Sequence, residues 1–340
     1  MIRFRLMGPL ARYTGYSVGF RGLVEKLRQK RDLDFQLRAT KCHTPPETEP
    51  ELLELVANNG EYDRLGVAVG FADIMEDLVA RYGILYSMYE TDDIPEHWKR
   101  YVERANEVWV PSAFCARVFG KYNKRIRIVP WGIDDAVFKP GNRLNKCGEY
   151  VFGAVGRQGR RKGTDVLVSA FQKAFGGRGG TKLVIKTRDM SGTSMPPIDN
   201  PMIETIDEDW DETRLAQFYR DIDCLVEVSR GEGCGMPPIQ SVFCGTPALV
   251  SNWSGLADYV GGDDGIWGIN IKGLCGAGRG MMAPRARWAE PDVNHLAELM
   301  QWAVETRPEV KGDYSRWSLQ SQADHFHQYI QQSWQAAWNR

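Results

Sequence analysis

Two stretches of the chain combine glycine with charge in patterns suited to an anionic substrate. The first, Gly153-Ala154-Val155-Gly156-Arg157-Gln158-Gly159-Arg160-Arg161-Lys162-Gly163-Thr164, places four cations within six residues, after an apolar run and before a helical pattern. A strand-to-helix loop of this kind aims backbone N–H groups, the positive helix end and cationic side chains at one anion, which suits phosphate. Its glycines do not have the G-x-G-x-x-G spacing of dinucleotide sites, and Lys162-Gly163 is not a Walker ending; read locally, the alternative is a solvated basic turn. The second stretch is Ser229-Arg230-Gly231-Glu232-Gly233-Cys234-Gly235-Met236-Pro237-Pro238-Ile239-Gln240, running on to Gly245-Thr246-Pro247. Its paired prolines fit just inside a helix start, where the N–H groups have no intrahelical partner. Glu232 then stands on a glycine-flanked loop, with Gln240 one to two turns into the helix behind it. Such a loop lets a ligand approach the backbone, and a carboxylate accepts hydrogen bonds from hydroxyls. Taken alone, the same pattern also fits a structural loop at the carboxyl end of a strand. Glu90 is a third candidate, in Tyr86-Ser87-Met88-Tyr89-Glu90-Thr91-Asp92-Asp93-Ile94-Pro95, at the strand end where open α/β sheets place ligands. A carboxylate there can orient a hydroxyl or take its proton, or it can serve as a cap or ion-pair partner.

These residues need a scaffold, and the hydrophobic pattern supplies one. Short apolar runs at Ile2–Leu6, Leu65–Val69, Ile84–Met88, Val108–Val110 and Ile126–Val129 read as strands. Gly19–Lys30, Asp73–Arg81 and Ala113–Tyr122 read as helices between them. The alternation predicts an α/β layer with a parallel sheet. Phe138 to Tyr150 is polar and turn-rich, the composition of a connection between domains. The alternation then resumes: a strand at 151–156, a helix at 165–175, a strand at 182–186, a helix at 212–220, and strands at 224–228 and 248–251. After Asp313 a long helical stretch carries Phe326, Ile330 and Trp334 at helix spacing, which predicts a closing helix with one buried face.

Composition narrows the function classes. The 340 residues suit two domains with buried cores, and the net charge of −1 gives no global field for nucleic acid or anionic membrane. Any anion site must therefore be local. The opening residues are broken by Gly8, Pro9 and charges before a signal-peptide run can form, and no segment reaches a membrane span, so a cytoplasmic protein without a transmembrane segment is expected. Seven cysteines, including Cys42 and Cys147, form no C-x-x-C pair and read as reduced thiols. The acidic run Asp207-Glu208-Asp209 reads as a solvated turn. His97, His295, His325 and His327 read as helix-surface residues and His43 as a loop residue, so no metal site is expected.

With these motifs in place, the sequence resembles the retaining glycosyltransferases of family 4, whose GT-B fold has two Rossmann-like domains facing across a cleft. Arg157 and Lys162, in V-G-R-x-x-x-x-K-G, match that family's arginine and lysine that bind the donor diphosphate. Glu232 matches the first of its two signature glutamates, which are separated by seven residues, and Gln240 stands where the second, associated with the donor ribose, is usual. Glu107 to Ser112, Ile128 to Asp134 and Val137-Phe138 are similar to the family's route out of the amino-terminal domain, with Trp131 in place of an asparagine. Gly15-Tyr16 occupies the place of the glycine-rich first loop that closes over the donor. Trp288-Ala289-Glu290-Pro291-Asp292 recurs in one branch of the family. Many relatives carry a histidine near the position of Glu90.

The resemblance implies a Rossmann-like amino-terminal domain on the acceptor side (1–140), a nucleotide-sugar domain (150–315), and a closing helix (316–340) crossing back to the amino-terminal domain. It implies a metal-independent hexosyltransferase-like enzyme that uses a nucleotide-diphosphate sugar as donor substrate, needs no cofactor and retains anomeric configuration. Arg157, Lys162, Glu232 and Glu90 are the expected catalytic residues. The donor is expected to meet Gly15, Tyr16, Arg157, Lys162, Glu232, Gly233, Cys234, Gly235, Met236 and Gln240. The acceptor is left open among a saccharide, a lipid-linked sugar, a protein, a metabolite and a modified nucleobase. A sugar phosphorylase or epimerase of the same fold, and a non-catalytic nucleotide-sugar binding module, are the rival readings.

Overall fold

The computed structural model describes residues 1–10, 15–40, 62–144, 148–157, 159–177, 179–187, 198–261, 265–278, 283 and 285–339. Cys42, His43, Cys147 and Gln158, named above, lie outside the described residues. The chain divides into two compact units, one of residues 1–89, 93–134 and 315–340, the other of residues 90–92 and 135–314.

The first unit is a parallel sheet of β1 (Ile2–Gly8), β2 (Leu33–Ala39), β3 (Leu65–Val69), β4 (Tyr82–Tyr86), β5 (Glu107–Val110) and β6 (Ile126–Ile128), in the order β2-β1-β3-β4-β5-β6. The central strands β3, β4 and β5 are buried along their whole length, as apolar runs without alternation require. Helices α1 (Gly15–Arg28), α2 (Glu96–Arg104) and α3 (Ala113–Phe119) make connections between strands, and the Ser112 hydroxyl caps α3 by accepting from Cys115 N at 3.1 Å. The expected helix at 73–81 is instead a single 3₁₀ turn, Ala72–Glu76. Gly66 and Gly83 on β3 and β4 are the reason. A Cβ on Gly66 would lie 2.8 Å from Leu78 and Ala80, and one on Gly83 would lie 3.1 Å from Met75. The segment thus lies directly on the strands, closer than a full α-helix of about 10 Å diameter can sit. The last helix, α8 (Leu319–Trp338), returns to this unit. Phe326 packs its ring against Trp109 at 5.0 Å and Phe4 at 6.3 Å, and the Ser333 hydroxyl donates to Glu107 at 2.8 Å. Phe326 and Ile330 are fully buried as expected, whereas Trp334 is half-buried against Trp338.

The second unit holds another six-stranded parallel sheet: β7 (Tyr150–Val155), β8 (Thr181–Thr187), β9 (Ile203–Asp207), β10 (Cys224–Glu227), β11 (Ala248–Ser251) and β12 (Ile266–Ile269). Its order is β12-β11-β10-β7-β8-β9. Among the described residues the helices α4 (Thr164–Phe175), α5 (Glu212–Asp221), α6 (Met236–Phe243) and α7 (Val293–Thr306) accompany it. An antiparallel hairpin is made by β13 (Ile271–Gly276) and β14 (Arg287–Pro291). Phe152, Phe171, Leu183, Leu249 and Met300 form the centre of its core. Counted from β7, this order is the Rossmann order 3-2-1-4-5-6, whose direction of winding reverses between β7 and β10. Among the described residues, no helix is long and apolar enough to cross a membrane.

Candidate active site

Beyond the carboxyl ends of β7 and β10, where the winding reverses, the two glycine-rich loops meet. That position is where open α/β sheets bind ligands. The basic loop must pass close to the strand end, and glycine makes this possible: Gly163 has φ +67°, and a Cβ there would lie 2.2 Å from Val228 O. A backbone bond then fastens the loops together, Arg230 N donating to Arg161 O at 2.7 Å, with the Ser229 hydroxyl oxygen 3.1 Å from the same carbonyl. A left-handed Gly235, φ +80°, turns the chain into α6, with Pro237 and Pro238 in its first turn as the sequence predicts.

Five charged side chains converge here. The Arg161 guanidinium donates to Glu232 at 2.6 Å and to Gly231 O at 2.8 Å. The Lys162 ammonium lies between two carboxylates, 2.9 Å from Glu232 and 3.0 Å from Glu227. Glu232 also accepts from the Ser229 hydroxyl at 3.0 Å, and its N–H donates to the Ser254 hydroxyl at 3.0 Å. Glu90 is the fifth. Its segment, residues 90–92, belongs to the second unit, and a Cβ on Gly231 would lie 2.0 Å from Glu90 O. Only glycine at 231 allows that approach.

The balance of burial and charge differs from group to group. Burial works to raise the Glu232 carboxyl, but Arg161 and Lys162 outweigh it and hold the group down at about 2. Burial pushes Glu227 up, with Lys162 opposing and Glu232 adding to the rise. Glu90 is likewise pushed up by burial, against Arg161 and with Glu232. Burial alone would lower Lys162 and Arg161, yet both stand above their ordinary values, Lys162 through Glu227 and Glu232, and Arg161 through Glu232 and Glu90. At neutral pH both cations are therefore charged.

A second ring of ion pairs frames the loops. Buried Arg230 donates to both oxygens of Asp165, at 2.8 and 2.7 Å, and to both of Glu290, at 2.8 and 2.6 Å. Arg287, at the start of β14, donates from N and Nε to Asp92 at 2.6 and 2.7 Å. The hairpin thereby ties segment 90–92 to the loops. Glu290 belongs to the Trp288–Asp292 motif, and Asp292 caps α7 by accepting from Asn294 N at 2.8 Å.

The residues singled out from sequence are distributed as follows. Lys162, Glu232 and Glu90 come together in the charged cluster. Arg157 is exposed on the basic loop, before Gly159. Gly233, Cys234, Gly235 and Met236 lead from Glu232 into α6, and the Cys234 thiol is buried 2.9 Å from the Tyr259 hydroxyl. Gln240 is buried and its Oε1 accepts from the Tyr219 hydroxyl at 3.0 Å. Gly15 and Tyr16 belong to the first unit, where they open α1 instead of lying in a loop. The Tyr16 ring packs edge-on against Trp131 at 5.6 Å and Phe71 at 5.9 Å. Asp207 to Asp209 are exposed, and no group of three metal-ligating side chains occurs among the described residues. Sequence reading counted Arg161 among the four cations of the basic loop without singling it out, and missed Glu227. The signal for Glu227 was present: a lone carboxylate inside Cys224-Leu225-Val226-Glu227-Val228, an otherwise apolar central strand.

The family model for "Glycosyl transferases group 1" matches residues 149–272, which carry both loops and all of the cluster except Glu90. Residues 149–272 of the second unit are thus similar to glycosyl transferases group 1 domains. Similar sequences agree. D-inositol 3-phosphate glycosyltransferase of Acidothermus cellulolyticus is 25% identical over 211 residues, 53% of this chain and 47% of that protein. The protein of the same name in Nocardia farcinica is 29% identical over 200 residues, 52% of this chain and 43% of its own. This chain thus aligns with about half the length of those relatives. Two solved structures extend the likeness beyond the group 1 domain to the whole fold, both with a TM-score of 0.72. Sucrose-phosphate synthase from Thermosynechococcus elongatus is 16% identical, with 99% of this chain and 100% of that one covered. HepE from Anabaena, solved with UDP and glucose, is 11% identical, with 98% and 100% covered. With its two Rossmann-like sheets and returning α8, the chain has the GT-B fold that the resemblance implied.

Proposed function

We propose that this chain transfers a glycosyl group from a nucleotide-diphosphate sugar to an acceptor hydroxyl, with retention of configuration and without a metal ion. The observation that carries the reading is the pair of loops at the winding reversal of a group 1 domain, with Lys162 and Arg161 charged and Arg157 exposed beside them. In this reading the diphosphate lies against Arg157 and Lys162, and the sugar lies under the loop from Glu232 to Met236. As the anomeric bond breaks, negative charge grows on the leaving phosphate, and cations already in place stabilise that charge more than the ground state. Glu232, held ionised, accepts hydrogen bonds from sugar hydroxyls. Glu90 faces the same cluster and orients the acceptor hydroxyl. The described cysteines are free thiols, which supports a reducing, cytoplasmic setting.

The test is a thermal-shift panel of sugar nucleotides, since a ligand that binds only the folded state raises its melting temperature. An acceptor screen with the stabilising donor follows. The name of the relatives puts D-inositol 3-phosphate first among the acceptors to try. Saccharides, lipid-linked sugars, proteins, metabolites and modified nucleobases come after it. Release of nucleoside diphosphate only when an acceptor is present supports transfer. A donor that binds but never turns over would favour a binding module, and release driven by inorganic phosphate would favour a phosphorylase.

A further inference from the structure

Glu227 stands apart from the other carboxylates of the cluster. It ends β10, is 3% exposed, and among the described residues the hydrogen bond its carboxylate accepts is from Lys162 at 3.0 Å. Glu232 shares that lysine but also holds Arg161 and the Ser229 hydroxyl. The two carboxylates therefore respond differently if a phosphate draws the ammonium toward itself. Glu232 keeps two donors, while Glu227 is left as a buried anion beside an incoming one. Among the described residues, the buried cations that Glu90, Glu227 and Glu232 share are Arg161 and Lys162, so a diphosphate adds negative charge where negative charge is in excess. The exposed Arg157 offsets only part of it. A buried ionised carboxyl without a partner neutralises itself by taking a proton.

Resting on the donor reading above, we propose that Glu227 takes up one proton from solvent when the sugar-nucleotide diphosphate binds, freeing Lys162 to serve the phosphate, and returns it when the diphosphate leaves. The charged and titratable groups facing Glu227 are Lys162 and Arg161 on the basic loop, Glu232 on the signature loop and Tyr219 on α5. The upward push that burial and Glu232 give Glu227 favours this uptake. No bond other than O–H is made or broken in the step.

Calorimetric titration of the full chain with UDP-glucose, UDP-N-acetylglucosamine and GDP-mannose tests it. The diphosphates of these probes are fully ionised at neutral pH and contribute no proton of their own. The slope of apparent binding enthalpy against buffer ionisation enthalpy at pH 7.5 counts protons taken up. We expect a slope near one for the native chain, near zero for Glu227→Gln and near one for Glu90→Gln. The native dissociation constant should also weaken up to tenfold per pH unit on the alkaline side, a dependence lost in Glu227→Gln. This second measurement needs only the native chain if the variant folds poorly. Binding without proton uptake, or uptake that persists in Glu227→Gln, overturns the proposal and leaves the donor reading intact. Failure of every probe to bind overturns both.

Discussion

Arg161 donates from one guanidinium nitrogen to the Glu232 carboxylate at 2.6 Å and to the Gly231 carbonyl at 2.8 Å, so one side chain of the basic loop fixes both the charge and the backbone of the signature loop. Arg161 is thus a positioning residue for Glu232. Removing one partner of a buried pair leaves the other uncompensated, at a cost of about 3–5 kcal/mol. We expect Arg161→Ala to lose about that much stability in urea unfolding, while Arg161→Lys, which keeps the charge but not the fork, loses less. An unchanged midpoint in Arg161→Ala would show that the pair does not hold the loop.

Arg157 and Lys162 have the same assigned task and different surroundings. Replacing either by alanine should lower turnover by about two to three orders of magnitude, the scale of one preorganised charge donor. Exposed Arg157 should leave the melting temperature unchanged, whereas Lys162→Ala uncovers Glu227 and Glu232 and should lower it. Rates near normal in both variants would remove the diphosphate assignment, and activity lost on adding EDTA would remove its metal independence.

The carboxylates set opposite pH trends. Glu232, held at about 2 against an ordinary value of 4.5, contributes stability that is present above pH 4.5 and lost as pH falls toward 2. A drop of that size amounts to about 3 kcal/mol. Glu227 and Glu90 are raised, so their contribution is fully present below 4.5 and lost as pH rises through their folded values. Urea midpoints should therefore rise on mild acidification from neutral and fall below pH 4.5. In Glu227→Gln the rise should shrink while the acid limb stays, and in Glu232→Gln the acid limb should shrink.

Gln240 concerns the nucleotide more than the breaking bond. Because Gln240 Oε1 accepts from buried Tyr219, Gln240→Glu keeps an acceptor for that hydroxyl and adds a charge. We expect KM for the donor to move more than kcat. A collapse of kcat with donor binding unchanged would place the ribose elsewhere.

Much of the site is legible in the sequence because its punctuation is local. Glycine runs and paired prolines mark Gly153–Gly163 and Gly231–Pro238 wherever they occur, and both loops form where the pattern put them. What the pattern could not give is which cation of Arg157, Arg160, Arg161 and Lys162 turns inward, because that depends on strand β10 lying beside β7. Glu90 reaches the cluster through Arg287 and Asp92, a contact across 195 residues that no local rule contains. In the fold, strands β3, β5, β7, β8 and β11 are plain from their apolar runs. The edge strands β2 and β9 alternate with charge and escape the same reading, and Gly66 and Gly83 conceal the flat segment between β3 and β4 until its packing is seen.

The return of α8 to the first sheet also constrains the order in which the protein can be made. Lys30 pairs with Asp324 across 294 residues, and Ile133 exchanges backbone bonds with Trp317 and Leu319. During synthesis the first sheet must therefore wait with Phe4 and Trp109 lacking the cover of Phe326 until residues 319–338 have left the ribosome. The second unit, apart from 90–92, is contiguous and can close earlier, so the first unit is the last to become stable and the more exposed to proteases and chaperones in the interval.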